Sequence, residues 1–204
     1  CPEADERMND PADRNARPYS QPLSKLLQPD QALTTRQLED RRLIHRHESV
    51  RKHADAFREL RTRLLSLSGS LHGENRNFVT LVAPVRHGCG GSFVARNLAA
   101  AFALDESKQA LLIDCDATHP AQGDALRVPA ENGGLIDYLE DESITLSDIV
   151  YPTGIPRLQL IPCGRSRETP GESFSSFRMH AMIDSLRAHQ GNRHLILDGS
   201  PVQG

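Results

Sequence analysis

There is no tryptophan in these 204 residues, and aromatics of every kind reach only 4%. A packed interior must therefore be built from Leu, Ile, Val and Ala, which suits one layered α/β domain. No run approaches the roughly 18 apolar residues of a membrane-spanning helix, so no direct membrane span is expected. Excess positive charge is also missing: net charge is −3 and the sequence pI about 6.3, which predicts no bulk attraction to nucleic acid. The four cysteines (Cys1, Cys89, Cys115, Cys163) form no CxxC pair and no zinc spacing, a pattern that fits reduced thiols. Lysine is scarce too: Lys25, Lys52 and Lys108 are all there are.

That last scarcity matters at residues 79–98, VTLVAPVRHGCGGSFVARNL. An apolar run, Val79 to Val82, predicts a buried strand. A glycine cluster follows (Gly88, Gly90, Gly91), then Ser92, then a helix starting near Phe93. Strand, glycine loop and helix N-terminus make an anion cradle from backbone N–H groups and the helix dipole. The phosphate-loop pattern GxxxxGK[ST] fits at Gly90 and Ser92. It fails at Gly91, where the lysine belongs, and at Val85, where the first glycine belongs.

Along the chain, residues 1–33 are rich in Pro, Asp, Arg and Asn and are expected to be disordered or extended. Weak helical spacing covers 35–50, so residues 1–50 read as an extension. Phe57, Leu60, Leu64 and Leu67 recur at helical intervals over 54–67. Strands are expected at 78–83, 110–114, 158–162 and 194–198. Helices are expected at 93–104, 134–140, 145–150 and 174–189, the last with Phe177, Met182, Ile183 and Leu186 inward. Apolar strands alternating with helices predict an α/β fold: a parallel sheet with helices on both faces, in three layers, over 51–204. The chain begins at Cys1 and ends six residues after Asp198, so it is expected to be part of a longer protein whose sheet continues. Charge is uneven. Residues 36–63 hold nine Lys/Arg against five Asp/Glu, and residues 105–150 hold eleven Asp/Glu against two Lys/Arg. These are either two solvated faces or surfaces that meet within an assembly.

Two strands end in aspartate, ALLID at Asp114 and HLILD at Asp198, with Asp116 two residues beyond the first. In a parallel sheet the C-terminal strand ends face the ligand crevice. The glycine loop also follows a strand end. Three strand ends thus deliver an anion cradle and carboxylates to one place, the parts that phosphoryl transfer requires. For any one aspartate, capping the next helix is an equally good explanation.

The chain resembles the bacterial tyrosine kinases of capsular and exopolysaccharide synthesis. These are deviant P-loop ATPases, related to those that partition chromosomes and place division sites. The likeness covers about 54–204 and rests on ADAFRELRTRLL (54–65), SFVARNLAAAFA (92–103), ALLIDCDATHP (110–120), GGLIDYL (133–139), LQLIPCG (158–164), FRMHAMIDSLR (177–187) and HLILDGSP (194–201). The resemblance implies a P-loop NTPase-like fold and Mg-ATP as cofactor. Nucleotide would be held by Gly88, Cys89, Gly90, Gly91, Ser92 and Phe93, with Arg86 as a substitute positive charge. Mg²⁺ would be held by Ser92, Asp114 and Asp198, and Asp114 and Asp116 would be catalytic. Asp55, Arg58 and Arg61 would match a helix that contacts the neighbouring subunit of a homo-oligomer. The implied partner is a membrane chain-length determinant (co-polymerase) protein, which would place this chain in the cytoplasm at the inner membrane.

Three functions follow from the departures. Loss of the lysine removes a charge-assisted bond to phosphate, about 1.5–3 kcal/mol. A non-catalytic or weakened relative acting as scaffold, an active tyrosine autokinase or ATPase, and a partitioning-type positioning ATPase using Arg86 across a dimer all remain open. On the sequence alone, Gly91→Lys is expected to strengthen nucleotide binding.

Overall fold

The computed structural model describes residues 32–45, 51–72, 78–165, 171–188 and 192–201. The apolar runs form strands β1 (Val79–Val82), β2 (Gln109–Cys115), β3 (Tyr151–Pro152), β4 (Leu158–Ile161) and β5 (Arg193–Gly199). They make one sheet in the order β1-β5-β2-β4-β3. The β1–β5, β5–β2 and β2–β4 pairings are parallel, and the short β3 is antiparallel to β4. β3 is absent from the sequence reading because two residues carry no periodicity. Its proline is tolerated because β3 is an edge strand.

Alternation along each strand divides the core between the two faces of the sheet. Ala110 and Leu112 of β2, Leu158 and Leu160 of β4 and Ile196 of β5 point to one side. There they meet helix α2 (Arg51–His72) and helix α3 (Gly91–Ala103). Leu111 and Ile113 of β2, Ile161 of β4 and Leu195 of β5 point to the other side. They pack against α5 (Leu135–Glu140) and α7 (Phe177–Ala188). The expected three layers are therefore present. Among the described residues, no helix is long and apolar enough to cross a membrane.

The helix expected over 35–50 is shorter. α1 (Thr35–Asp40) is closed at its start by a capping box between Thr34 and Gln37. It ends at Arg41, and Arg42 takes a positive φ of 54°. The chain then drops Leu43 and Ile44 into the core, 2% and 4% exposed. Buried Asn97 of α3 fastens this segment. Its Oδ1 accepts from the Ile44 N–H (2.8 Å), and its Nδ2 donates to the carbonyls of Arg42 (3.1 Å) and Phe93 (3.0 Å). Residues 32–45 thus pack on the body that was expected to begin at residue 51. Residues 1–31 and 46–50 of the expected extension lie outside the described residues.

Two further differences have local causes. The helix expected over 174–189 is broken into α6 (Gly171–Phe174) and α7, because the Ser176 hydroxyl accepts from the Met179 N–H (3.2 Å) and caps a fresh start. Phe177, expected to face inward, is then 82% exposed, and Met179 takes a buried place beside Met182 and Leu186. The helix expected over 145–150 is a single 3-10 turn, Leu146–Asp148. Conversely, the loop after β2 contains a short helix, α4 (Gln122–Leu126), that lacks enough residues to show a period.

Candidate nucleotide site

β1 runs straight into the glycine loop. Gly88 and Gly90 have φ of +76° and +95°, values that favour glycine. Gly90 is the N-cap of α3, and its carbonyl accepts from the Val94 N–H (2.9 Å). The loop and helix N-terminus therefore stand at the C-terminal edge of the sheet, as the sequence predicts. Gly88, Cys89, Gly90 and Arg86 are exposed there, and Gly91, Ser92 and Phe93 are half-buried. Phe93 turns back to meet Phe57 of α2 edge-on, with ring centroids 6.1 Å apart. Cys89 is solvent-exposed, and its pKa is lowered, first by hydrogen bonding from the Arg86 backbone.

Position 91 is closed to a side chain. A Cβ placed on Gly91 would lie 2.8 Å from Pro84 Cβ and 3.0 Å from Pro84 Cγ. Pro84 sits two residues after β1 and fills the space a larger residue would need. Sequence reasoning had no signal for this, since nothing marks two residues seven apart in a loop as neighbours.

Behind the loop lie the acids. Asp114 and Asp198 occupy the same register on the adjacent strands β2 and β5, and Val82 of β1 pairs with Asp198 on the other side. Both carboxylates are fully buried. Asp114 is bound entirely to backbone. Its Oδ1 accepts from Asp116 N–H (3.2 Å), and its Oδ2 accepts from Ala121 N–H (3.0 Å) and Gln122 N–H (2.9 Å). It fastens the loop that carries Asp116 and starts α4. Burial nevertheless pushes its pKa up to about 6, with the nearby charge of Asp198 adding to the rise. Asp116 turns its Oδ1 to the His119 N–H (3.1 Å) and the Ser200 hydroxyl (3.0 Å).

Gln122 joins the two halves of the site and was not foreseen. Its Nε2 donates to the Asp198 Oδ2 (2.7 Å) and to the carbonyl of Ser92 (2.9 Å). Burial raises the pKa of Asp198, while the Gln122 amide and the Ser92 hydroxyl act to lower it. Asp198 Oδ1 is buried and has no hydrogen-bond partner within the protein. A carboxyl oxygen left without a partner in that way is suited to a hard cation, and the Ser92 hydroxyl near the same carboxyl supplies a second oxygen. The donor set therefore fits Mg²⁺. The cradle keeps its amide donors for phosphate and lacks a lysine.

Asp55, Arg58 and Arg61 do not behave alike. Asp55 and Arg58 form an exposed i,i+3 pair on α2 at 2.8 Å. Arg61 is turned into its own chain, where its Nη1 donates to the Ala101 carbonyl near the end of α3 (2.7 Å) and lies 3.8 Å from Asp105.

No protein-family model matches the chain. Among curated proteins it is 26% identical over 153 residues to the tyrosine-protein kinase CpsD of Streptococcus agalactiae, covering 75% of this chain and 62% of that protein. The CpsD of serotype III strain NEM316 gives the same identity and coverage. The chain thus spans 62% of the length of these curated relatives. Among solved structures, the BceF tyrosine kinase domain matches with a TM-score of 0.62 at 26% identity, over 74% of this chain and 57% of that one. The kinase domain of the Escherichia coli tyrosine kinase ETK has a TM-score of 0.62 at 21% identity, over 83% and 74%. The septum site-determining protein MinD of Pyrococcus horikoshii OT3, complexed with Mg-ADP, has 0.50 at 22%, over 62% and 50%. The last two speak for the fold alone. The chain is homologous to bacterial tyrosine kinases and has their P-loop NTPase-like fold.

Proposed function

We propose that this chain is a bacterial-tyrosine-kinase-like domain with weakened nucleotide binding and phosphoryl transfer, acting in capsular or exopolysaccharide production. In this reading it works in the cytoplasm as the partner of a membrane chain-length determinant protein. The observation that carries the weakening is the contact between Pro84 and position 91. The loop is packed around the absence of a side chain, so the missing lysine is built into its shape. One charge-assisted bond to phosphate is lost, roughly 10- to 150-fold in affinity.

Ser92, Gln122, Asp114 and Asp198 would bind and orient Mg-ATP, and Mg²⁺ would supply charge neutralisation at the phosphates. Asp116, held by Ser200 one residue beyond β2, would accept a proton from an attacking hydroxyl. Arg86, exposed on the loop, would add positive charge at the cradle. Asp55 and Arg58, exposed on α2, would form the contact with a neighbouring copy, and Arg61 would hold α2 against α3.

Calorimetry with Mg-ATP tests the reading. Binding at high micromolar to millimolar concentration, abolished by Ser92→Ala, is the expected result. Micromolar affinity together with tyrosine autophosphorylation would overturn the weakening and support the second reading, an active autokinase. That second reading draws on one specific observation, the buried Asp198 Oδ1 without a hydrogen-bond partner, which is suited to a cation.

A further inference from the structure

His87 and His119 come from two different loops and meet, with ring centroids 4.3 Å apart and planes inclined by 40°. His87 lies in the glycine loop after β1, and His119 in the loop after β2; both are exposed. Neither backbone is loosely held. The His119 N–H donates to Asp116 Oδ1 (3.1 Å), which also accepts from Ser200. The glycine loop is pinned by the Cys89 N–H to the Arg86 carbonyl (3.4 Å) and by the close fit of Gly91 on Pro84. Two pre-positioned imidazoles therefore face each other where the cradle opens to solvent.

Stacking alone gives such an exposed pair little. A borderline metal ion turns the same geometry into a favourable one. Zn²⁺ binds imidazole nitrogen at about 2.0–2.1 Å, which in a tetrahedral site sets two nitrogens about 3.3 Å apart. A centroid spacing of 4.3 Å puts nitrogens of the two rings within range of that separation.

We infer that His87 and His119 form a two-imidazole site for one borderline transition-metal ion, with Zn²⁺ the chief candidate and water completing its coordination. The site is distinct from the oxygen-lined place at Ser92 and Asp198, because hard Mg²⁺ selects oxygen and Zn²⁺ selects nitrogen. Among the described residues, no group of three or more His, Cys, Asp or Glu is placed to hold a metal. Two protein ligands make an exchangeable site, suited to regulation. A bound ion would tie the glycine loop to the Asp116 loop and bring two positive charges to the mouth of a cradle that lacks its lysine. That consequence rests on the nucleotide reading; the binding itself does not.

The test is Zn²⁺ calorimetry without nucleotide on the wild type, His87→Ala, His119→Ala and the double variant, with circular dichroism to verify folding. One ion per chain is expected. Affinity should fall at least about 10-fold in each single variant, since loss of even an outer-shell partner costs that much. The double variant should be little worse than either single one, because removing one ligand already breaks the pair. A single variant that binds Zn²⁺ as tightly as the wild type overturns the site. So does a Cu²⁺ resonance spectrum showing fewer than two nitrogen donors on the wild type. Mg-ATP binding is then measured with and without Zn²⁺. Mg-ATP binding unchanged by Zn²⁺ would overturn the regulatory consequence, absence of Mg-ATP binding would count against the nucleotide reading, and either would leave the metal site standing.

Discussion

Pro84 and Gly91 are shaped to each other: the proline Cβ stands 2.8 Å from where a Cβ on residue 91 would be. A gap under 3 Å between carbons lies inside their contact distance, so any side chain at 91 must displace the ring or the loop. Overpacking of this kind costs about 1–3 kcal/mol.

Restoring the lysine therefore requires both positions. Gly91→Lys alone should not improve Mg-ATP affinity and should lower thermal stability. Pro84→Gly with Gly91→Lys should tighten binding by about 10-fold or more, the value of one charge-assisted bond. Alanine at 84 would not serve, because it keeps the closest atom. Calorimetry on the two variants beside the wild type decides the matter; a single Gly91→Lys variant that binds tightly would show that the proline yields at no cost.

Gln122 should matter more than its sequence suggests. Its amide donates to Asp198 Oδ2, a buried carboxylate oxygen. Gln122→Ala removes that bond to a buried carboxylate at an expected cost of about 1.5–3 kcal/mol. Gln122→Glu should be worse at pH 8 than at pH 5, because it sets a second carboxylate against the first. Urea denaturation at the two pH values checks both. A Gln122→Ala variant as stable as the wild type would mean that water replaces the amide.

What was legible in the sequence and what was not divide along physical lines. β2 and β5 announce themselves because strands buried on both faces read as continuous apolar runs, and their terminal aspartates mark the functional edge of the sheet. Gly88 and Gly90 are legible because positive φ selects glycine. Gln122 is not, since its role depends on α4 folding back so that Nε2 reaches both β5 and the start of α3, and nothing local encodes that. Arg61 reads as one of three evenly spaced charges on α2, yet the end of α3 claims it. Phe177 reads as core, and a serine cap one residue earlier turns it outward.

The acids should give the domain a pH-dependent response to magnesium. Asp114 has its pKa raised from 3.8 to about 6, so the folded chain holds this proton more tightly than the unfolded chain. Between those values, rising pH costs stability through this group, and above about 6 the penalty is fully present. A cation near Asp198 offsets it only once the acids are ionised. Mg²⁺ should therefore raise the melting temperature at pH 7.5 and do little at pH 5. Equal effects at both pH values would place the ion elsewhere.

His194 should act in the opposite direction. It lies between Phe78 (ring centroids 4.8 Å apart) and Phe102 (4.2 Å), and neither ring nitrogen has a hydrogen-bond partner. Burial pushes its pKa from 6.5 down to about 4, with Lys108 and Arg61 adding to the fall and Asp105 opposing it. The unfolded chain takes up this proton first, so stability is lost as pH falls from 6.5 towards 4, by on the order of 2–3 kcal/mol. His194→Leu removes the titration and also the two unsatisfied nitrogens. It should be at least as stable as the wild type at pH 7 and more stable at pH 4.5, where the histidine is penalised. Urea melts across this range test the point: if the two proteins lose stability in parallel on acidification, the lability belongs to other groups and the stacked imidazole is only a spacer between the phenylalanines.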